Sequence, residues 1–119
     1  MNKEKEDLRA RTKKFALQII QIYSLLPKTT VAQILGKQLL RSGTSVGAHY
    51  REAVRARSVA EFISKIEVGL QELEETAYWL ELLVETHILN QAQVQNIVNE
   101  IEELMAIFVA SVKTAKQRK

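Results

Sequence analysis

The sequence predicts an all-α fold, an antiparallel up-down four-helix bundle that is oligomeric. Apolar residues recur at helical spacing from end to end, with no period-two stretch. Polar start signatures of the capping-box type stand at Thr30, Ser58 and Asn90, each followed three residues later by Gln or Glu. Only short segments separate the periodic runs, which favours antiparallel neighbours. The 119 residues are read as one domain, 1–119, with helices at roughly 4–26, 30–56, 58–86 and 90–116.

The first helix places Leu8, Phe15, Ile19, Ile22 and Leu26 on one stripe. Pro27 ends it, because proline lacks an N–H donor and disfavours helix at the residue before it. In the second, Leu35, Leu39, Val46 and Ala53 form a seam, with Ser42 and His49 at the intervening heptad places. RSGTSVGA interrupts that seam in composition but not in phase, so one continuous helix is expected, a break being the competing reading. Small residues at Gly43, Gly47 and Ala48 would admit a close neighbour, offsetting the cost of glycine in a helix, about 1 kcal/mol each.

Ser58 with Glu61 starts the third helix, whose seam is Val59, Phe62 or Ile63, Ile66, Leu70, Leu73, Ala77, Leu80 and Val84. Glu61 and Lys65 are spaced for an ion pair one turn apart. Asn90 with Gln93 caps the fourth, Leu89 stapling against Val94, and Val94, Ile97, Ile101, Leu104, Phe108 and Val112 line its seam. Further apolar residues lie off these seams: Val68, Trp79, Leu82 and Leu83 on the third helix, and Ile34, Leu40 and Tyr50 on the second. Such second faces fit a subunit interface.

With no cysteine, disulfides and thiolate metal sites are excluded. No apolar run is long enough to span a bilayer, and the N-terminus MNKEKEDLRARTKKF has no apolar signal core, so a cytoplasmic protein without membrane association is expected. The two histidines, His49 and His87, lack the Glu-x-x-His spacing of di-iron bundles. His49 and Glu52 share a helix face, but a pair is not a metal site, and His87 has a capping or solvated role. No nucleophile elbow, triad spacing or phosphate loop is present. No enzyme activity, cofactor or metal is therefore expected.

The net charge of +3 conceals a strong asymmetry. Residues 1–57 hold twelve Lys/Arg against four Asp/Glu, residues 58–112 hold Lys65 against ten Glu, and four more basic residues follow. On the second helix Lys37, Arg41, Arg51 and Arg55 fall within about 80° of arc. Arg9, Arg11, Lys13 and Lys14 form a cluster on the first, with no acidic partner nearby in sequence. These eight residues are the candidate nucleic-acid contacts. For Arg41 and Arg51 the rival reading is equally weighted: ion pairs with the acidic helices, within the bundle or between subunits.

KQLLRSGTSVGAHYREA followed by SVAEFISKIEVGLQELEETAYWLELL resembles the 23S rRNA intervening sequence proteins, the S23 family. The specific pieces are Arg41 to Ser45, Gly47-Ala48, Arg51 to Ala53, Phe62-Ile63, Lys65, Glu72, Glu75-Thr76 and Tyr78 to Leu80. The chain departs at His49, where asparagine is usual, and at Gln71, where lysine is usual. The resemblance implies a four-helix bundle, a ring-shaped homopentamer, and a poorly defined role linked to insertions in 23S rRNA genes. A similar fold serves as the accessory variability protein of diversity-generating retroelements, which binds a reverse transcriptase and nucleic acid. The function expected is thus non-enzymatic association with RNA or DNA, with a protein-interaction scaffold for a reverse transcriptase as the alternative.

Overall fold

Strong helical periodicity and short polar connections fold the chain, in a computed structural model, into four antiparallel helices. These are α1 (Lys3–Ser24), α2 (Thr30–Val54), α3 (Val59–Glu85) and α4 (Gln91–Lys116). The structure describes the backbone of residues 3–118 and the side chains of residues 8–118, so Lys119 of the basic tail lies outside it. Each helix packs on the next in chain order, and α1 closes against α4. The particle measures 48 × 22 × 19 Å. Among the described residues no helix is long and apolar enough to cross a membrane.

The seams converge on one core. Phe15, Ile19, Leu39, Val46, Leu73, Leu80, Leu104 and Phe108 are fully buried. Tyr50 stacks on Phe108 with ring centroids 6.1 Å apart. That burial pushes its phenol pKa up. Tyr50 and Leu83, read from sequence as off-seam interface residues, are therefore core residues, at 3% and 0% exposure. Leu40, Val68, Trp79 and Leu82 are half-buried, and of that set only Ile34 is well exposed.

α2 runs unbroken through the small-residue stretch, and its glycines explain why. A Cβ at Gly43 would lie 2.7 Å from Ile19 Cγ1, and one at Gly47 would lie 3.1 Å from Thr12 Oγ1. The α1 backbone thus approaches α2 where Cβ atoms are missing, and packing offsets the weak propensity. Ala48 is exposed and takes no part in this approach. Gly69 gives Phe108 the same room between α3 and α4.

Two expected start signals differ in detail. The cap of α2 is Thr29, whose side chain accepts from Ala32 N–H at 3.3 Å, rather than Thr30. Gln33 then donates to the Pro27 carbonyl at 2.8 Å instead of closing a box. Ser58 caps α3 by accepting from Glu61 N–H, but the Glu61 carboxylate accepts from Arg57 N–H, so it neither closes the box nor pairs with Lys65. Lys65 instead reaches Glu52 on α2 at 3.3 Å. Asn90 and Gln93 form the full reciprocal box. At the far end of α3, His87 takes φ 63°. His87 N–H reaches Val84 O and Ile88 N–H reaches Leu83 O, which is the Schellman pattern with histidine in the place usually given to glycine.

Candidate nucleic-acid interface

From Leu8 to Arg57 the chain carries a single carboxylate, Glu52, against ten Lys/Arg. Those residues build α1 and α2, so the α1–α2 layer is basic and the α3–α4 layer acidic. The candidate contacts divide according to whether they can reach across that boundary.

Arg11 reaches it. It sits on the α4 side of α1 and clasps Glu100 with a two-pronged fork, Nε to Oε2 at 3.0 Å and Nη2 to Oε1 at 2.7 Å, adding Glu103 at 2.9 Å. The pair is about three-quarters buried, where a fork of this kind is strongest. Arg41 also reaches across, to Glu72 at 3.3 Å and to Glu75. The bond to Glu75 is the main reason its guanidinium pKa lies above the ordinary value. For Arg41, then, the ion-pair reading describes the geometry.

Arg9, Lys13, Arg51 and Arg55 do not appear in any ion pair among the described residues. Their placement follows from helix register. Thr12 packs beside Gly47 and Ile19 beside Gly43, so in this antiparallel pair Arg9 stands level with Arg51, and Lys13 level with Gly47 and Ala48. Arg55 follows one turn beyond Arg51. The four cations thus gather at one end of the outer α1–α2 face, with the small side chains of Thr44 and Ala48 between them and the rest of the stripe. Lys37 lies on the same stripe near the opposite end of α2, and Lys14 shares the α4-facing side of α1 with Arg11. Of eight candidates the structure brings four together, ties two into ion pairs and leaves two apart.

One polar arrangement was only partly legible. His49 Nδ1 lies 3.2 Å from Glu52 Oε1, and its Nε2 lies 3.6 Å from Glu72 Oε2. With Arg41 and Lys65 this forms a charged ladder along α2 and α3. Deeper in the same seam, Ser42 and Thr76 hydroxyls bond at 2.8 Å, and Thr76 also donates to the Glu72 carbonyl. Of the polar residues that carried the family resemblance, Arg41, Ser42, Glu52, Lys65, Glu72, Glu75 and Thr76 meet in this seam, whereas Thr44, Ser45 and Arg51 do not. The His49–Glu52 pair was visible as an i, i+3 spacing; Glu72 across the seam had no local signal. Among the described residues, no group of three or more His, Asp or Glu is arranged to hold a metal ion.

The family model described as 23S rRNA-intervening sequence protein matches residues 4–110. A crystal structure of a protein of unknown function from the S23 ribosomal protein family of Bacteroides thetaiotaomicron superposes with a TM-score of 0.84. It is 38% identical, and the match covers 89% of this chain and 98% of that one. No curated protein is significantly similar.

Proposed function

The chain belongs to the 23S rRNA-intervening sequence protein family, and on that premise we propose that it is a non-catalytic protein that associates with structured RNA through its α1–α2 face. The observation that carries this reading is the cluster of Arg9, Lys13, Arg51 and Arg55 on a layer holding one carboxylate between Leu8 and Arg57. That carboxylate, Glu52, is already engaged by His49 and Lys65. Each of these cations can neutralise one phosphate and release a counterion, so affinity falls steeply with salt. Arg11 and Arg41 hold the layers together and are not assigned to RNA.

Filter binding to a structured RNA across a salt series tests the reading. At about 50 mM salt the protein binds, and Arg9→Gln with Arg51→Gln lowers the salt slope by roughly two and weakens binding to all sequences alike. No binding at that salt, or binding unchanged in the double variant, overturns it.

The working unit is proposed to be a ring-shaped homopentamer. Leu25, Val31 and Ile34, exposed at the α1–α2 turn, support this, because apolar surface at the end remote from Arg9 and Arg51 fits a contact between copies and leaves the basic cluster open. So does Trp79, whose indole N–H is buried without a partner among the described residues and stands beside the half-exposed Tyr78. The acidic α3–α4 layer favours a second reading, a scaffold for a basic protein such as a reverse transcriptase. In that case, the α1–α2 variants leave partner binding intact.

A further inference from the structure

We propose that the chain carries a binding groove for a single-chain fatty carboxylate at the end of the bundle where α1 begins and α4 ends. The up-down topology brings the start of α1, the α2–α3 turn and the last turns of α4 to this one end. There they leave an open groove of about 780 Å³.

The lining mixes apolar and polar groups, Ser58, Ser111 and Thr114 among the latter. Its floor is apolar: Leu8, Tyr50, Ala53 and Ala115 are buried, with Phe62 and Ile107 half-buried beside them. Val54 and Val59 extend this surface outward at 43% and 37% exposure, so apolar area that the bundle does not cover faces the opening. The rim carries Arg57 and Arg118, and among the described residues no Asp or Glu lines the groove. Neither guanidinium is in an ion pair among the described residues. Both are rigid forks that match a carboxylate.

Charge and shape together select the occupant. A purely apolar ligand would leave the two guanidiniums unmatched, and a small hydrophilic anion would leave the floor and the two valines exposed. An anion with an unbranched apolar tail satisfies both, its head between the arginines and its chain along the floor. This site adjoins the proposed RNA face at the same end of the bundle but shares none of its residues Arg9, Lys13, Arg51 and Arg55.

Displacement of anilinonaphthalenesulfonate by decanoate tests the proposal on the full chain, with decanol as the uncharged equivalent of the same length. Decanoate displaces the dye below its aggregation threshold, and decanol is roughly tenfold weaker or worse, since it cannot form the charge-assisted bonds. Arg57→Gln with Arg118→Gln loses about the same factor for decanoate and leaves decanol unchanged. Ala110→Trp, which fills the groove from its exposed wall, abolishes displacement by both. Unchanged thermal midpoints show that both variants fold. Equal potency of decanoate and decanol overturns the proposal, as does displacement unaffected by Ala110→Trp. Binding to anionic vesicles without displacement by monomeric decanoate overturns it too, by assigning the groove to a lipid surface.

Discussion

Between α2 and α3 the hydroxyl oxygens of Ser42 and Thr76 lie 2.8 Å apart, and neither side chain is exposed. Each hydroxyl has one proton, so the pair forms a short chain that ends on the Glu72 carbonyl. Without Ser42, Thr76 keeps the Glu72 carbonyl, whereas without Thr76 the Ser42 hydroxyl is left only a long contact to the Leu39 carbonyl at 3.4 Å. Thr76→Val keeps the volume and is expected to cost about 1 kcal/mol, because Ser42 then keeps only its long contact to the Leu39 carbonyl. Ser42→Ala combined with Thr76→Val should recover part of that loss, since no poorly bonded hydroxyl then remains in the core. Urea unfolding of the two single variants and the double variant gives the coupling; strict additivity would show that the bond contributes nothing. At this scale the sequence is least legible. Thr12 and Thr76 are fully buried, yet a polar residue on a helix reads as solvent-facing, and only its back-bond to the preceding turn makes it cheap to bury.

α2 shows what helix-scale reading captures and what it misses. Its apolar seam keeps phase across RSGTSVGA, so continuity was legible despite the local composition. Its cap was misplaced by one residue because Thr29 and Thr30 offer the same hydroxyl, and only the backbone turn after Pro27 chooses between them. Its polar side was legible as a stripe but not as a set of partners, which come from α3. That side also confers a pH response. The Glu52 carboxyl is held below the usual carboxylate range, first by its hydrogen bond to His49 and then by Lys65. Glu72 and Arg41 face the same group of charges from either helix. A carboxylate with a lowered folded-state pKa stabilises above its unfolded pKa, and that contribution fades as pH falls through the folded value. The unfolding midpoint should therefore drop as pH is lowered from about 5 to about 3. Glu52→Gln should flatten this acid limb while leaving stability near neutral pH closer to that of the parent. An acid limb identical in both proteins would assign it to other carboxylates.

For the molecule as a whole, charge is sorted by layer. The division was legible as a run of signs along the chain, because the first two helices and the last two helices each form one layer. The pairing was not legible: Arg11 and Glu100 are 89 residues apart, and nothing local marks either as the other's partner. The cluster at Arg9, Lys13, Arg51 and Arg55 likewise required the α1–α2 register. The proposed assembly rests on exposed apolar surface away from that cluster. Light scattering at micromolar concentration should give about five times 13.6 kDa. A monomer at that concentration would remove the ring. The core adds its own contribution at this scale, since two residues read as spare apolar surface, Tyr50 and Leu83, lie inside it and leave less for an interface.

The glycines of α2 also limit how the molecule can move. Helix pairs that transmit signals often slide past one another by one turn, about 5.4 Å. Such a step here would carry either Leu39 opposite Ile19 or Arg51 opposite Thr12, in places where the present contacts leave room for no more than a hydrogen atom. Both directions are blocked by bulk, and on the other side of α2 the Ser42–Thr76 bond sets the register against α3. The pair α1–α2 therefore behaves as a locked plate without a sliding gear. Ligand or partner binding has to act by moving the bundle as a whole or by freeing a helix end, with the interior register left as it is.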